Sequence, residues 1–227
     1  MRLAALFSGG KDSTFAVYKA MKKGYKITHL VTALPENTAS YMFQHQNVHW
    51  CALSAQALDI PWVSVPTKGI KEQEVRDIEA IIATLDVDGL LVGAVESDYQ
   101  MRRAEIICER LSLASVAPLW HQDQLTLLKE FISSGFKAKV VGVAAQGLDA
   151  TMLGRTLDED LLSMLLNLRD EYGISIYGEG GEYETFVVDG PIFKKKIVVD
   201  KSNVVWDGVR GEYIIEKAHL EDKDGYS

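Results

Sequence analysis

The sequence has little cysteine and no long apolar run. Only two of its 227 residues are cysteines, Cys51 and Cys108, and they lie far apart. This spacing excludes a disulfide framework and carries no Cys-x-x-Cys signature of a zinc or iron–sulfur site. No apolar stretch approaches the roughly 18 residues that span a bilayer, and the N-terminal apolar run is too short for a signal peptide. We therefore expect a soluble, intracellular, cytoplasmic protein with no membrane partner.

Positive charge is also scarce. Lys and Arg total 24 against 32 Asp and Glu, for a net charge of −8. Proteins that grip nucleic acid by bulk electrostatics leave a basic footprint, so this balance argues against nucleic acid as a partner. The hydrophobic fraction of 47% and charged fraction of 25% are those of an ordinary globular protein. The length allows one large domain or two small ones.

The first half of the chain alternates short apolar runs with amphipathic stretches, which is the pattern of βαβ units in a parallel sheet. Predicted strands are 3–7, 27–34, 62–65 and 89–95, and predicted helices are 14–23, 48–58, 72–84 and 97–109. After Pro118 the pattern changes, with predicted helices 122–132 and 157–172 and strands 138–143, 185–188 and 196–199. We predict an α/β domain over 1–120 and a smaller, substrate-binding α+β domain over 121–227.

Residues 8–13, here called the phosphate loop, stand between the best predicted strand and the best predicted helix. Gly9 and Gly10 permit backbone conformations closed to other residues and let phosphate oxygens approach the amides. The following helix adds unpaired N–H donors and the positive end of its dipole. Lys11 can neutralise phosphate charge, and the hydroxyls of Ser8 and Ser13 can donate to phosphate oxygens. The loop therefore predicts a phosphate-binding site.

Asp12 needs a different partner, because a carboxylate repels phosphate. Mg²⁺ takes carboxylate and phosphate oxygens together, so Asp12 is predicted to bind Mg²⁺ through the phosphates. Lys11 and Asp12 are the predicted catalytic residues. The spacing is neither that of a Walker A loop nor that of the Gly-x-Gly-x-x-Gly dinucleotide fingerprint. A polar turn without chemistry is the alternative, and five such fixed positions arise by chance in about one of several thousand chains.

The phosphate loop resembles that of the PP-loop, or N-type ATP pyrophosphatase, superfamily. This resemblance implies a Rossmann-like, five-stranded parallel sheet of the adenine nucleotide alpha hydrolase-like type, which binds ATP at the ends of its strands. It also implies a reaction in which a substrate oxygen attacks the α-phosphorus, giving an adenylated intermediate and pyrophosphate. ATP and Mg²⁺ are the implied cofactors, and the loop would hold the departing pyrophosphate.

A second segment follows the fourth apolar run, at a strand end where such sheets bind ligands. Ser97, Asp98 and Tyr99 are predicted to bind substrate there, with a helix cap as the alternative role for the first two. Arg102 and Arg103 come next, and adjacent helical residues point about 100° apart, so only one should reach the site. We select Arg102, and a solvated ion pair is its alternative. A third cluster, over residues 35–49, follows the second strand.

The last segment, residues 178–186, is here called the acidic glycine segment. Its predicted substrate-binding residues are Glu179, Gly180, Gly181, Glu182, Tyr183, Glu184 and Thr185. Together with the phosphate loop, this segment is similar to the diphthine–ammonia ligase family, whose archaeal members are short chains of this size. The resemblance runs from about residue 2 to 190. It departs from the family pattern at Gln44, where His is common.

The resemblance implies ATP-dependent amidation of diphthine, a modified histidine on elongation factor 2, to diphthamide. Adenylation of the diphthine carboxylate would let ammonia displace AMP. Elongation factor 2 carrying diphthine is the implied protein partner. Free ammonium is the expected nitrogen source, because the chain has no room for a glutaminase domain beside these features. Diphthine carries a trimethylammonium group, which carboxylates and aromatic faces such as those of Tyr177 and Tyr183 recognise. A solvated acidic turn is the alternative for this segment.

Two other functions remain open from the sequence. The chain could be another adenylating enzyme of the superfamily, acting on a different carboxylate or on a tRNA base. It could also be a non-catalytic sensor that binds ATP or AMP without turnover. His49, beside Trp50, is a candidate general base, with a packing role as its alternative.

Overall fold

The computed structural model describes residues 1–35, 47–68 and 71–223. The chain divides by its internal contacts into two compact units, Met1–His121 and Gln122–Ser227. Most of the third sequence cluster, residues 36–46 with Gln44, lies outside the described residues. Across the described ranges, every helix is too short or too polar to cross a membrane.

The first unit is a five-stranded parallel sheet with strand order β3-β2-β1-β4-β5. This confirms the predicted α/β fold. Its strands are β1 (Arg2–Leu6), β2 (Lys26–Pro35), β3 (Trp62–Thr67), β4 (Gly89–Leu91) and β5 (Ala114–Val116). Its helices are α1 (Lys11–Lys22), α2 (Cys51–Leu58), α3 (Lys71–Ile82) and α4 (Asp98–Leu111), with a 3₁₀ helix at Val48–Trp50 before α2.

The strand order creates a crevice at the end of β1. The chain passes outward from β1 through β2 to β3 and then returns to place β4 on the other side of β1. Because the connections on the two sides leave β1 in opposite directions, their loops separate above its carboxyl end. Open parallel sheets bind ligands at such a switch point, and the phosphate loop follows β1 there.

Helices α3 and α4 form the core on one face of this sheet. Val75 and Ile82 of α3 and Ala104 and Ile107 of α4 pack with apolar side chains of the strands, including Leu90. All are buried because the apolar residues of each helix recur at spacings of three and four and so share one face. The packing fixes both helices over the sheet and thereby fixes the side chains of their first turns at its carboxyl edge.

Both cysteines are buried in this unit. Burial raises the pKa of the Cys51 thiol to about 12, against a smaller opposing effect of a hydrogen bond with Thr32. Burial likewise raises the pKa of Cys108. Neither side chain is a thiolate at neutral pH, so neither is suited to nucleophilic attack.

The second unit combines helices α5 (Gln124–Ser133) and α6 (Glu159–Tyr172) with a four-stranded antiparallel sheet. The sheet order is β7-β6-β9-β8, formed by β6 (Lys137–Val143), β7 (Tyr183–Asp189), β8 (Lys195–Trp206) and β9 (Gly211–Asp222). Asp123 and Asp158 cap α5 and α6 by accepting from the backbone N–H groups of Thr126 and Leu161, at 2.8 and 2.9 Å. These caps satisfy donors that the first turn of a helix leaves unpaired.

Two strands of the fold, β5 and β9, were missed by the sequence prediction, and a third, β8, was predicted too short. The three-residue β5 is too short to show a periodic pattern. Strand β8 continues to Trp206, beyond the predicted end at residue 199, and pairs with β9 over its whole length. Residues 200–205 are exposed, so this part of β8 has no buried face whose alternation the sequence could display. Backbone pairing, rather than burial, forms this part of the sheet.

Candidate functional site

The phosphate loop joins the end of β1 to the start of α1. Gly9 has φ of 75°, which a glycine adopts without steric cost. Gly10 is the N-cap of α1 and has no side chain that could occupy the first-turn N–H groups. The first amides of a helix lack acceptors within it, so those of Lys11, Asp12 and Ser13 are donors for a ligand.

The two serines hold the loop closed. The hydroxyl oxygens of Ser8 and Ser13 lie 3.2 Å apart, and the Ser8 amide donates to the Ser13 hydroxyl at 3.3 Å. The Ser13 hydroxyl also donates to the carbonyl of Gly10 at 3.2 Å. These bonds cross the loop from its first residue to its last, so its shape is set before any ligand binds.

Lys11 and Asp12 form an ion pair at the base of the loop. The Lys11 ammonium lies 3.1 Å from Oδ2 of Asp12, and the lysine is only 5% exposed. The other carboxylate oxygen of Asp12, Oδ1, is buried and has no hydrogen-bond partner within the described part of the chain. A buried carboxylate oxygen without a donor is costly, and a cation would satisfy it. This oxygen therefore fits Mg²⁺.

The chain after β4 packs directly against the loop. A Cβ atom built on Gly93 would lie 2.8 Å from the carbonyl carbon and oxygen of Asp12 and 2.8 Å from the amide nitrogen of Ser13. Only a glycine fits such an approach without moving the backbone. Gly93 therefore sets how closely the end of β4 meets the phosphate loop.

A cavity of about 320 Å³ opens at this edge of the sheet. Its size is at the lower end of the usual range for ligand pockets. The polar residues that line it are Ser8, Asp12, Ser13, Glu74, Tyr99, Gln100 and Arg103. Most of the other lining residues are apolar, among them Leu6, Val31, Ala33, Val48, Val75, Ile78, Val92 and Ile107. A phosphate cradle beside an apolar wall suits a nucleotide.

The predicted residues of α4 separate in the structure. Tyr99 lines the cavity. Ser97 is the N-cap of α4, where its hydroxyl accepts from the Gln100 amide at 3.4 Å. It therefore has the helix-capping role that was the alternative to substrate binding. Asp98 is exposed and borders a different surface groove, together with Glu105 and Glu109. The structure thus brings one of these three predicted residues to the cavity.

Of the two adjacent arginines, the structure places Arg103, and not the selected Arg102, in the lining of this cavity. Arg103 lines the cavity, whereas Arg102 is exposed and lies outside the lining. The Cζ atom of Arg103 lies 3.6 Å from the centroid of the Tyr99 ring, four residues earlier on the same face of α4. The rotation of a helix per residue explains why one neighbour faces the cavity and the other faces solvent.

Glu74 and Gln100 are cavity residues that the sequence prediction did not select. Glu74 is half-buried and, among the described residues, has no hydrogen bond or ion pair. One signal was available, since Glu74 falls in the first turn of a helix that follows a parallel strand, at the ligand-binding edge. Its position beside Val75 and Ile78, however, gives the appearance of an ordinary amphipathic helix.

The acidic glycine segment, in the second unit, is a turn held by its own carboxylate. The two oxygens of Glu182 accept from the amides of Ser175 at 3.0 Å and of Gly180 at 2.8 Å. The amide of Gly181, which has φ of 81°, donates to the carbonyl of Gly178 at 3.0 Å. Glu182 therefore shapes the turn from within.

The rings of the two tyrosines of this region, Tyr177 and Tyr183, are buried and do not face solvent. Tyr183 is 3% exposed and its hydroxyl donates to the carbonyl of Ile176 at 2.8 Å, while Tyr177 is 1% exposed. A buried ring cannot stack on a ligand cation, so the predicted aromatic recognition by these two rings is not supported. Glu179, Glu184 and Thr185 are half-buried, the last two on β7.

His49 lies outside the lining of the cavity, although its neighbour Val48 contributes to it. The imidazole is exposed and its centroid is 4.9 Å from that of Trp50. This contact agrees with the packing role rather than with a catalytic one.

The fold and the loop define an α/β protein of the PP-loop type. Residues 1–115 match the diphthamide synthase N-terminal domain, and residues 123–220 match the diphthamide synthase C-terminal domain. The chain belongs to the diphthamide synthase family, whose curated relatives are the diphthine–ammonia ligases.

Several such relatives match almost the whole chain, and two of them serve as examples. The diphthine–ammonia ligase of Homo sapiens is 41% identical over 251 residues, covering 98% of this chain and 94% of the relative. That of Danio rerio is 39% identical over 250 residues, with 98% of each chain covered. A solved structure, of a predicted subunit of tRNA methyltransferase from Methanocaldococcus jannaschii, matches with a TM-score of 0.50 and 18% identity, covering 84% of this chain and 98% of that one. At that identity the likeness shows the fold alone.

Proposed function

We propose that this protein is an ATP-dependent ligase that amidates diphthine on elongation factor 2 to diphthamide. The observation that carries the proposal is the phosphate loop opening into a cavity of about 320 Å³, in a chain that is similar over nearly its full length to diphthine–ammonia ligases. ATP and ammonium are the co-substrates, and the product on the factor is a primary amide.

The chemistry has two steps. A carboxylate oxygen of diphthine attacks the α-phosphorus, and the bond from that phosphorus to the β-phosphate oxygen breaks, so that pyrophosphate leaves with the electron pair. Ammonia then attacks the acyl carbon, loses a proton and displaces AMP. The negative charge that develops on pyrophosphate is met by the first-turn amides of α1 and by the ammonium of Lys11. Such preorganised donors are often worth about 100- to 1000-fold in rate each.

Asp12 is the proposed magnesium ligand. Its buried Oδ1 atom, without a hydrogen-bond partner among the described residues, supports this role. The described ranges hold no group of three His, Cys, Asp or Glu side chains suited to a metal ion. This agrees with Mg²⁺, which is often bound by one or two carboxylates together with substrate phosphates and water. When bound, the ion neutralises phosphate charge.

The second unit is proposed to take part in acceptor recognition through the acidic glycine segment. Glu182 and Tyr183 are engaged within the turn, so their role is to hold its conformation. The carboxylates of Glu179 and Glu184 are then the proposed contacts for the positive charge of diphthine. Their effect would be electrostatic, without the aromatic faces that the sequence hypothesis included.

The test combines ATP, Mg²⁺, ammonium and elongation factor 2 bearing diphthine with wild-type protein, Lys11→Ala, and Lys22→Ala as the matched control. Lys22 is an exposed lysine at the other end of α1. We expect AMP and pyrophosphate in equal amounts and an acid-to-amide mass change on the histidine peptide, lost only in Lys11→Ala. ATP binding without either product would instead identify a sensor. AMP formation without amidation would keep the adenylation chemistry and exclude diphthine as the acceptor.

A further inference from the structure

Helix α4 brings a cation into the cavity of the phosphate loop. Arg103 lines the same cavity as Ser8, Asp12 and Ser13. The reason lies in the sheet, because β4 is hydrogen-bonded next to β1 and Gly93 packs against the loop backbone. The start of α4 therefore reaches the same edge as the start of α1. Of the described residues that line the cavity, Arg103 is the only one with a positive charge.

Tyr99 fixes the orientation of this guanidinium. The Cζ atom of Arg103 lies 3.6 Å from the centroid of the tyrosine ring, a distance at which the two groups stack. Stacking engages the flat face of the guanidinium, whereas its five N–H donors all lie in its plane. The side chain therefore makes its hydrogen bonds along its edge, in a plane that the tyrosine ring determines.

In the proposed reaction one anion, the acceptor carboxylate, still requires a cationic partner. The phosphates have the amides of α1, the hydroxyls of the phosphate loop and the ammonium of Lys11, which approaches Asp12 at 3.1 Å. The second anion is the acceptor carboxylate, which must approach the negatively charged α-phosphate. Like charges oppose that approach, and the opposition is strongest in a cavity with an apolar wall. A guanidinium binds a carboxylate through two parallel hydrogen bonds, which neutralises and orients it at once.

We propose that Arg103 is the binding residue for the acceptor carboxylate, and that Tyr99 is its positioning residue. This inference rests on the proposed function and adds the residues that hold the acceptor's reacting group. In the adenylation step one carboxylate oxygen forms the bond to the α-phosphorus while pyrophosphate departs. Arg103 forms and breaks no bond in this step, so its contribution is charge and alignment.

The first test separates acceptor binding from ATP binding. Arg103→Lys keeps the charge but loses the bidentate geometry, and Arg103→Ala loses both. We expect the KM for diphthine-bearing factor to rise by about 10-fold in the first and about 100-fold in the second, since each factor of ten is one good hydrogen bond to a charged group. The Kd for ATP should stay within about twofold of wild type.

The matched control is Arg110→Lys, on the same helix but outside the cavity lining. Lysine can retain the ion pair that Arg110 makes with Glu79 at 2.9 Å, so no kinetic constant should change. Arg102→Lys should raise the acceptor KM less than Arg103→Lys. Tyr99→Phe should preserve the acceptor KM and Tyr99→Leu should raise it. Free guanidinium should restore part of the activity of Arg103→Ala, which a purely structural defect would not allow.

The second test does not require turnover. Binding of the diphthine-bearing factor is measured with the unreactive analogue α,β-methylene-ATP in place, for wild type and Arg103→Ala. We expect binding about 100-fold weaker in the variant, in line with the rise expected in its KM. Equal binding, or loss of ATP affinity in parallel with loss of acceptor affinity, would overturn the assignment. If the wild type binds the factor in an Arg103-dependent way but does not amidate it, the proposed ligase activity is excluded and the carboxylate site is retained. If Arg103→Ala amidates the factor as well as wild type does, the ligase activity is retained and the carboxylate site is excluded.

Discussion

The contact between Gly93 and the phosphate loop provides a sharp test of how β4 supports the site. In Gly93→Ala the new methyl carbon would lie 2.8 Å from backbone atoms of Asp12 and Ser13. Ordinary carbon contacts are about 3.5 Å or more, so the loop must retreat by about 0.7 Å. Backbone cannot rotate out of the way as a side chain can, and the displacement falls on the amides that face the ligand.

The size of the effect follows from the hydrogen bonds that would be lost. A bond of about 2.9 Å lengthened by this amount no longer qualifies as one. Each bond to a charged group contributes about 1.5–3 kcal/mol, so we expect the Kd for ATP to rise by about 10- to 150-fold. Overpacking costs about 1–3 kcal/mol of stability, which lowers the Tm by about 2–12 °C in a chain of this size.

Gly89→Ala is the matched control for this prediction. Its methyl carbon would lie 2.7 Å from the carbonyl oxygen of Ala114, at the opposite end of β4 and away from the phosphate loop. We expect a similar loss of Tm with an unchanged Kd for ATP, measured by calorimetry at a temperature where both variants are folded. Wild-type ATP affinity in Gly93→Ala, or an equal loss in Gly89→Ala, would refute the reasoning.

Three further predictions concern residues away from the cavity. Ser97→Ala removes the cap of α4 and should cost about 0.5–1 kcal/mol in urea unfolding, while Ser97→Asp should retain stability; an equal loss in both would show that the cap is not the cause. Glu182→Gln replaces an acceptor by a donor against a backbone amide and should cost about 1–3 kcal/mol and raise hydrogen exchange at Gly180; unchanged exchange would contradict the structural role. Hydrogen bonds from Arg2 lower the pKa of Asp88 to about 2, below the usual value of about 3.9. The pair therefore stabilises the folded state above pH 4, and this stabilisation is lost as the pH falls from 4 to 2. Asp88→Asn should therefore unfold more readily than wild type at pH 7, and the gap between them should close toward pH 2; a gap independent of pH would exclude this pair as its source.

The sequence by itself determined the features that are local along the chain. Residues 8–13 predict phosphate binding, because six consecutive residues supply the glycines, the positive charge and the helix start that a phosphate-binding site requires. The alternation of apolar runs with amphipathic stretches determined the parallel sheet, since the helical and strand periods differ. Residues 200–205 of β8 were not predicted as a strand, because an exposed segment shows no alternation of apolar and polar side chains.

The tertiary structure decided what depends on direction and on neighbours from distant parts of the chain. Arg102 and Arg103 have the same chemistry, and only the rotation of α4 over the sheet determines which one enters the cavity. Glu74 becomes a cavity residue, and Gly93 a spacer against the phosphate loop, because the strand order sets β4 and the start of α3 at the edge where β1 ends. Glu182 carries a carboxylate, a group that often binds ligands, but hydrogen bonds inside its own turn engage both of its oxygens. A side chain's type fixes what it can bind, whereas the fold fixes what lies within its reach.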